Sequence, residues 1–134
     1  MKKILILVLL FPIVTLILTG CSTTGENGLT IKNGASNKIY INFRGSLISI
    51  DASSSMEIKD ITRGTYTYET TFEIPAGTMT TKTEGAVSGQ VTLNAGTKVL
   101  IVYSSTFSDG IYTLSATISS SDDIYGGNDD PVLP

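Results

Sequence analysis

From Gly64 to Ile74 the side chains alternate one for one, with Tyr66, Tyr68, Thr70, Phe72 and Ile74 on one side and Thr65, Thr67, Glu69, Thr71 and Glu73 on the other. A period of two belongs to a strand with one buried and one wet face, and it excludes an amphipathic helix over the same residues. The pattern recurs along the chain. Ile39, Ile41 and Phe43 oppose Lys38, Tyr40, Asn42 and Arg44. The pairs Ile48/Ile50 and Met56/Ile58 flank the turn-like Asp51 to Ser55. Val87, Val91, Leu93 and Ala95 form a further series, and Tyr112, Leu114, Ala116 and Ile118 another. Val99 to Tyr103 is apolar without a break, as in a central strand covered on both faces.

With Leu29 to Lys32 as an opening strand, this makes about eight strands separated by short turn segments. The sequence therefore predicts an all-β fold, an antiparallel β-sandwich over residues 29–119, because short linkers leave no room for parallel crossovers. The expected core includes Ile41, Phe43, Tyr68, Phe72, Val91, Leu100, Val102 and Leu114. Asn27-Gly28, Asn33-Gly34 and Asp109-Gly110 read as turns.

Little in this frame can do chemistry. The chain has no histidine and one cysteine, which removes the commonest general base, the nucleophilic triads and the commonest transition-metal ligand. Lys59, Lys82 and Lys98 fall on polar phases of strands and read as solvated. Glu69 and Glu73 share a strand face, yet at ~3.3 Å per residue their backbones stand about 13 Å apart, beyond the separation of glycosidase carboxylates. Asp122, Asp123, Asp129 and Asp130 match no calcium loop. No catalytic residue, metal site or cofactor is expected. The absence of a Lys/Arg cluster argues against nucleic acid as a partner. Of six tyrosines, Tyr40 and Tyr125 are the rings out of phase with the core, and a sugar platform would use those two.

The Thr-rich stretch from Thr70 to Thr83, centred on Pro75-Ala76-Gly77, reads as a long hairpin whose tip extends past the sandwich. Thr71, Glu73, Pro75, Gly77, Thr78 and Thr80 would form its exposed surface, and its edge could dock a protein partner by strand addition.

Ahead of the β-rich part, Lys2 and Lys3 precede an apolar run from Ile4 to Leu18 that ends in Leu18-Thr19-Gly20-Cys21. These are the parts of a secretory signal peptide, and the run is shorter than the roughly 20 residues of a membrane-spanning helix. The last four residues resemble the lipobox of bacterial lipoproteins. That resemblance implies cleavage after residue 20, lipid on Cys21, and export to a bacterial membrane, the outer one in a Gram-negative host because Ser22 follows the cysteine. The mature chain would hold seven basic and twelve acidic side chains. Residues 1–20 are then a signal peptide, 21–28 the lipidated cysteine and a flexible tether, 29–119 the sandwich, and 120–134 an acidic, disordered tail. Ile61 to Tyr68 resembles the way a strand opens in transthyretin-like and carboxypeptidase-regulatory-like sandwiches. The expected function is a structural or protein-binding role in the cell envelope, without catalysis and with a carbohydrate-binding module as the alternative.

Overall fold

The computed structural model describes residues 26–125, with side chains as far as Asp123. The expected signal peptide, Cys21, residues 22–25 of the expected tether, residues 126–134 of the expected tail and the Tyr125 ring lie outside the described part. Nine strands make two sheets: β1 (Gly28–Asn33), β2 (Ile39–Phe43), β3 (Ser46–Ile50), β4 (Ser54–Ile58), β5 (Gly64–Phe72), β6 (Thr80–Gly85), β7 (Gly89–Leu93), β8 (Lys98–Ser108) and β9 (Ile111–Ser120). One sheet has the order β4-β1-β8-β9-β6 and the other β3-β2-β5-β7. The fold is an all-β sandwich. Alternating residues from both sheets fill its core, among them Leu29, Ile31, Ile39, Ile41, Leu93, Ile101 and Leu114, each 1% exposed or less.

Hairpins form where the backbone can turn tightly. Arg44-Gly45 and Asp109-Gly110 both have positive φ, 55° and 74° in the first and 51° and 74° in the second, the pairing that matches the twist of a hairpin. Of the two Asn-Gly pairs, Asn33-Gly34 turns the chain out of β1, with the Ala35 N–H donating to the Asn33 side-chain oxygen at 3.0 Å, whereas Asn27-Gly28 leads straight into the strand. Asn27 and Asn33 are buried at the two ends of β1, and Gly28 lies inside the strand. The domain therefore starts at Asn27, two residues before the expected boundary at 29, so Asn27 and Gly28 are not tether. At the other end β9 runs to Ser120 and a helical turn, α1 (Ser121–Tyr125), follows; these first residues of the expected disordered tail are ordered.

The pairing is not wholly antiparallel. β1 runs parallel to β8, and β6 parallel to β9, while the other five pairings are antiparallel. The crossovers are supplied by strands of the opposite sheet, which is why short linkers suffice. Core membership shifts accordingly. In β8 it is Val99, Ile101 and Tyr103 that are buried, while Leu100 and Val102 are half-exposed on the outer face, so this strand is covered on one side only among the described residues. Ile118 is 40% exposed because β6 stops opposite Ala116 and does not reach it. Ile74, expected in the core, is 61% exposed because β5 ends at Phe72.

Tyr103 joins the sheets through a 2.7 Å hydrogen bond with Thr70. Burial pushes its phenol up to about 12, against a smaller opposite pull from the Thr70 hydroxyl. Tyr112, equally buried, has no hydrogen-bond partner for its hydroxyl among the described residues. The two tyrosines should answer differently to loss of the hydroxyl. Tyr103→Phe should lower stability by about 1–2 kcal/mol in denaturant titration, and Tyr112→Phe should be neutral or stabilising.

The folded chain holds the Tyr103 proton more tightly than the unfolded chain, whose phenols titrate near pH 10. This contribution is whole below pH 10 and is lost as the pH rises from about 10 to about 12. The melting temperature should fall over that interval, and less steeply in Tyr103→Phe.

Candidate functional site

The residues singled out in the Thr-rich stretch do not form a hairpin. β5 stays in the four-stranded sheet, and β6 joins the edge of the five-stranded sheet beside β9. Glu73 to Met79 crosses between sheets that pack ~10 Å apart. Within that link Thr78 donates both its N–H and its hydroxyl to the Pro75 carbonyl, at 3.3 and 2.6 Å, and Gly77 takes φ +83°. The turn read at Pro75 to Gly77 is thus present. However, the chain leaving it is captured by the β8–β9 turn, where the Met79 and Thr80 N–H groups both donate to the Gly110 carbonyl, at 2.7 and 3.2 Å. Thr71 is exposed on the outer face of β5, Glu73 accepts the Tyr40 hydroxyl at 3.1 Å, and Thr80 opens β6. These residues are spread over two sheets rather than gathered in one surface.

Three exposed apolar side chains lie on this link and on the β8–β9 hairpin beside it. Ile74 and Met79 flank the Pro75–Thr78 turn, 61% and 80% exposed. Met79 lies over Gly110, where a Cβ would sit 2.4 Å from its terminal methyl. Phe107, 52% exposed, stands opposite Tyr112, whose ring packs 5.5 Å from Phe72. Phe107 keeps the inward phase of Tyr103 and Ser105 but is half-exposed. Its phase is legible in the sequence; its exposure is not.

These residues lie at the end of the sandwich opposite the N-terminal segment. Gly28 pairs with Lys98 at the start of β8, and β1 runs parallel to β8 towards the Asp109-Gly110 turn. The ten steps from Lys98 to Ser108 span about 33 Å.

The outer face of the four-stranded sheet carries an open groove of about 690 Å³ lined by Asn42, Arg44, Tyr66, Thr67, Glu69 and Gln90 among others. It follows from stagger. β2 ends at Phe43 opposite Tyr68, and β7 begins at Gly89 opposite the same tyrosine, so each neighbour covers a different half of β5. Asn42 stands directly across from Glu69, and Thr67 from Gln90. Arg44 lies 5.6 Å from the centre of the Tyr66 ring. Nearby, Lys38 pairs with Asp51 at 3.2 Å, which raises the lysine pKa mainly through their hydrogen bond. The bond to Glu73 raises that of Tyr40.

Among the described residues no three His, Cys, Asp or Glu side chains converge as a metal site would require. Glu69 and Glu73 do not act as a pair, since the second is held by Tyr40 beyond the end of β5. Because Thr78 to Thr81 anchor the link on Gly110 and open β6, removing them should lower the melting temperature by several degrees. Phe107→Ser, at a half-exposed site, should move stability by no more than about 0.5 kcal/mol. Thermal scans of both variants check the pair.

No protein-family model matches the sequence, and a search of curated proteins found no match.

Proposed function

We propose that this chain is a lipid-anchored, non-catalytic protein of a bacterial cell envelope that presents its far end to a protein partner. The observation that carries the reading is the opposition of the two ends of β8. The chain from Cys21 enters the sandwich beside Lys98, while Ile74, Met79 and Phe107 are exposed at the other end of that strand. A lipid on Cys21 would hold the first end near a bilayer, with a tether of six residues that reaches at most about 20 Å. These three exposed apolar side chains then face away from the membrane, where exposed apolar surface serves in protein contacts. Two or three acyl chains on one cysteine make such anchoring stable.

The test is metabolic labelling. Cells expressing the full chain should incorporate labelled palmitate into it and hold it in the membrane fraction, and Cys21→Ser should abolish both. Unchanged labelling in the variant overturns the anchoring.

The groove favours a second reading, carbohydrate binding through its polar side chains. Asn42, Glu69 and Gln90 supply the planar amide and carboxylate groups that pair with vicinal hydroxyls, and they lie outside the core. Titration of the protein with cell-wall oligosaccharides should then shift the signals of these residues, and Glu69→Ala should remove the shift.

A further inference from the structure

The free edge of β6 is a self-complementary strand, and we infer that it pairs with β6 of a second copy of this chain, antiparallel and centred on Thr83. Every residue of Thr80–Gly85 is exposed, and β9 is its neighbour on one side only. The direction of each backbone group follows from two hydrogen bonds. The Thr80 N–H donates to the Gly110 carbonyl and the Ala86 N–H to that of Ala116. With the register Thr80↔Ile111 to Gly85↔Ala116, the even-numbered residues turn their backbone groups towards β9. Backbone groups in a strand alternate sides, so those of Thr81, Thr83 and Gly85 point away from the sheet, a template for another strand.

Which strand fits is decided by charge. Only odd-numbered residues can exchange hydrogen bonds across this edge, so an antiparallel copy can slide only between registers that pair odd with odd. Centred on Thr83, Thr83 faces its own copy and Thr81 faces Gly85 as hydrogen-bonded pairs. Lys82 then stands opposite Glu84 of the second copy, twice by symmetry, on the outer face and at the non-hydrogen-bonded positions where side chains approach closest. The adjacent allowed registers put Lys82 opposite Lys82, or Glu84 opposite Glu84, and like charges directly opposed are unfavourable. A lysine on an edge strand ordinarily blocks pairing. Here Glu84, two residues on, leaves one register in which the block becomes an ion pair. The contact has the two-fold symmetry of a closed dimer and joins the five-stranded sheets of two copies into one.

The test is disulfide trapping of the full chain with Thr83→Cys. A hydrogen-bonded antiparallel pair holds its Cα atoms about 5.5 Å apart, within disulfide range. Under mild oxidation the variant should give a covalent dimer above the background of the parent chain, whose only cysteine is Cys21. Adding Lys82→Glu, or adding Glu84→Lys, should reduce the dimer to that background. Mixing those two variants, or combining both changes in one chain, should restore it, because each arrangement again sets opposite charges across the edge. Absence of the Thr83→Cys dimer, indifference to the single charge changes, or failure of the mixture to recover each overturns the inference. The readout does not require lipid on Cys21, so failure of the anchoring leaves this result readable, and the reverse.

Discussion

Two buried asparagines at the ends of β1 hold the two sheets in register. The two N–H groups of the Asn33 carboxamide are shared among the carbonyls of Asn37, Ile50 and Asp51, at 2.9, 3.0 and 3.1 Å, and its oxygen accepts the Ala35 N–H at 3.0 Å. Those acceptors belong to the start of β2, the end of β3 and the link to β4, so one side chain pins the corner where the chain passes between layers. Asn27 does the same at the other end, donating to the Ile61 carbonyl and accepting the Thr97 N–H. Thr97, fully buried, passes the network on to Asp122 at 2.9 Å, which also accepts from Asn94. Buried polar groups are tolerated only when satisfied, and once satisfied they admit one arrangement where apolar contacts would admit several.

With β1 fixed at both ends, β8 follows as its parallel neighbour, and the long β8–β9 hairpin carries the rest. Its turn captures Met79 and Thr80 through the Gly110 carbonyl and so steers β6 into the five-stranded sheet. The departure of β6 is set by Gly85, whose φ is +70° and where a Cβ would meet the Ala116 carbonyl oxygen at 2.3 Å. From there the chain changes sheets, and Ala86 to Ser88 lead into β7. The exposed apolar end, the open edge of β6 and the stagger that forms the groove are all consequences of this one strand exchange.

Fold class was legible because alternation reports burial directly. Ile39 to Phe43, Tyr68 to Phe72 and Tyr112 to Ala116 each keep the phase read from the sequence. The layer that a strand joins was not legible, because it is decided by backbone contacts remote in sequence. Thr80 to Gly85 contains no apolar residue to mark a buried face, and its partner is chosen by the carbonyls of Gly110 and Ala116. Leu100 and Val102 were misread for the opposite reason, since apolar residues on an outer face cannot be told from core residues by composition. Asn27 resembles a turn residue because an asparagine followed by glycine is a strong turn signal; its burial depends on a partner as far away as Thr97. The exposure of Ile74 is hidden in the same way, because it depends on where β5 stops.

The functional account stands on the way the chain enters this sandwich. A domain whose first strand begins beside Lys98, with its apolar end at the far tip of β8, makes sense as a display module if Cys21 is fixed in a bilayer. The most direct measurement is the mass of the N-terminal peptide of the protein isolated from membranes of its host. The account predicts a peptide that starts at Cys21 and carries the added mass of a diacylglycerol thioether. A peptide that starts at Met1, or one that contains Cys21 as a free thiol, would contradict it.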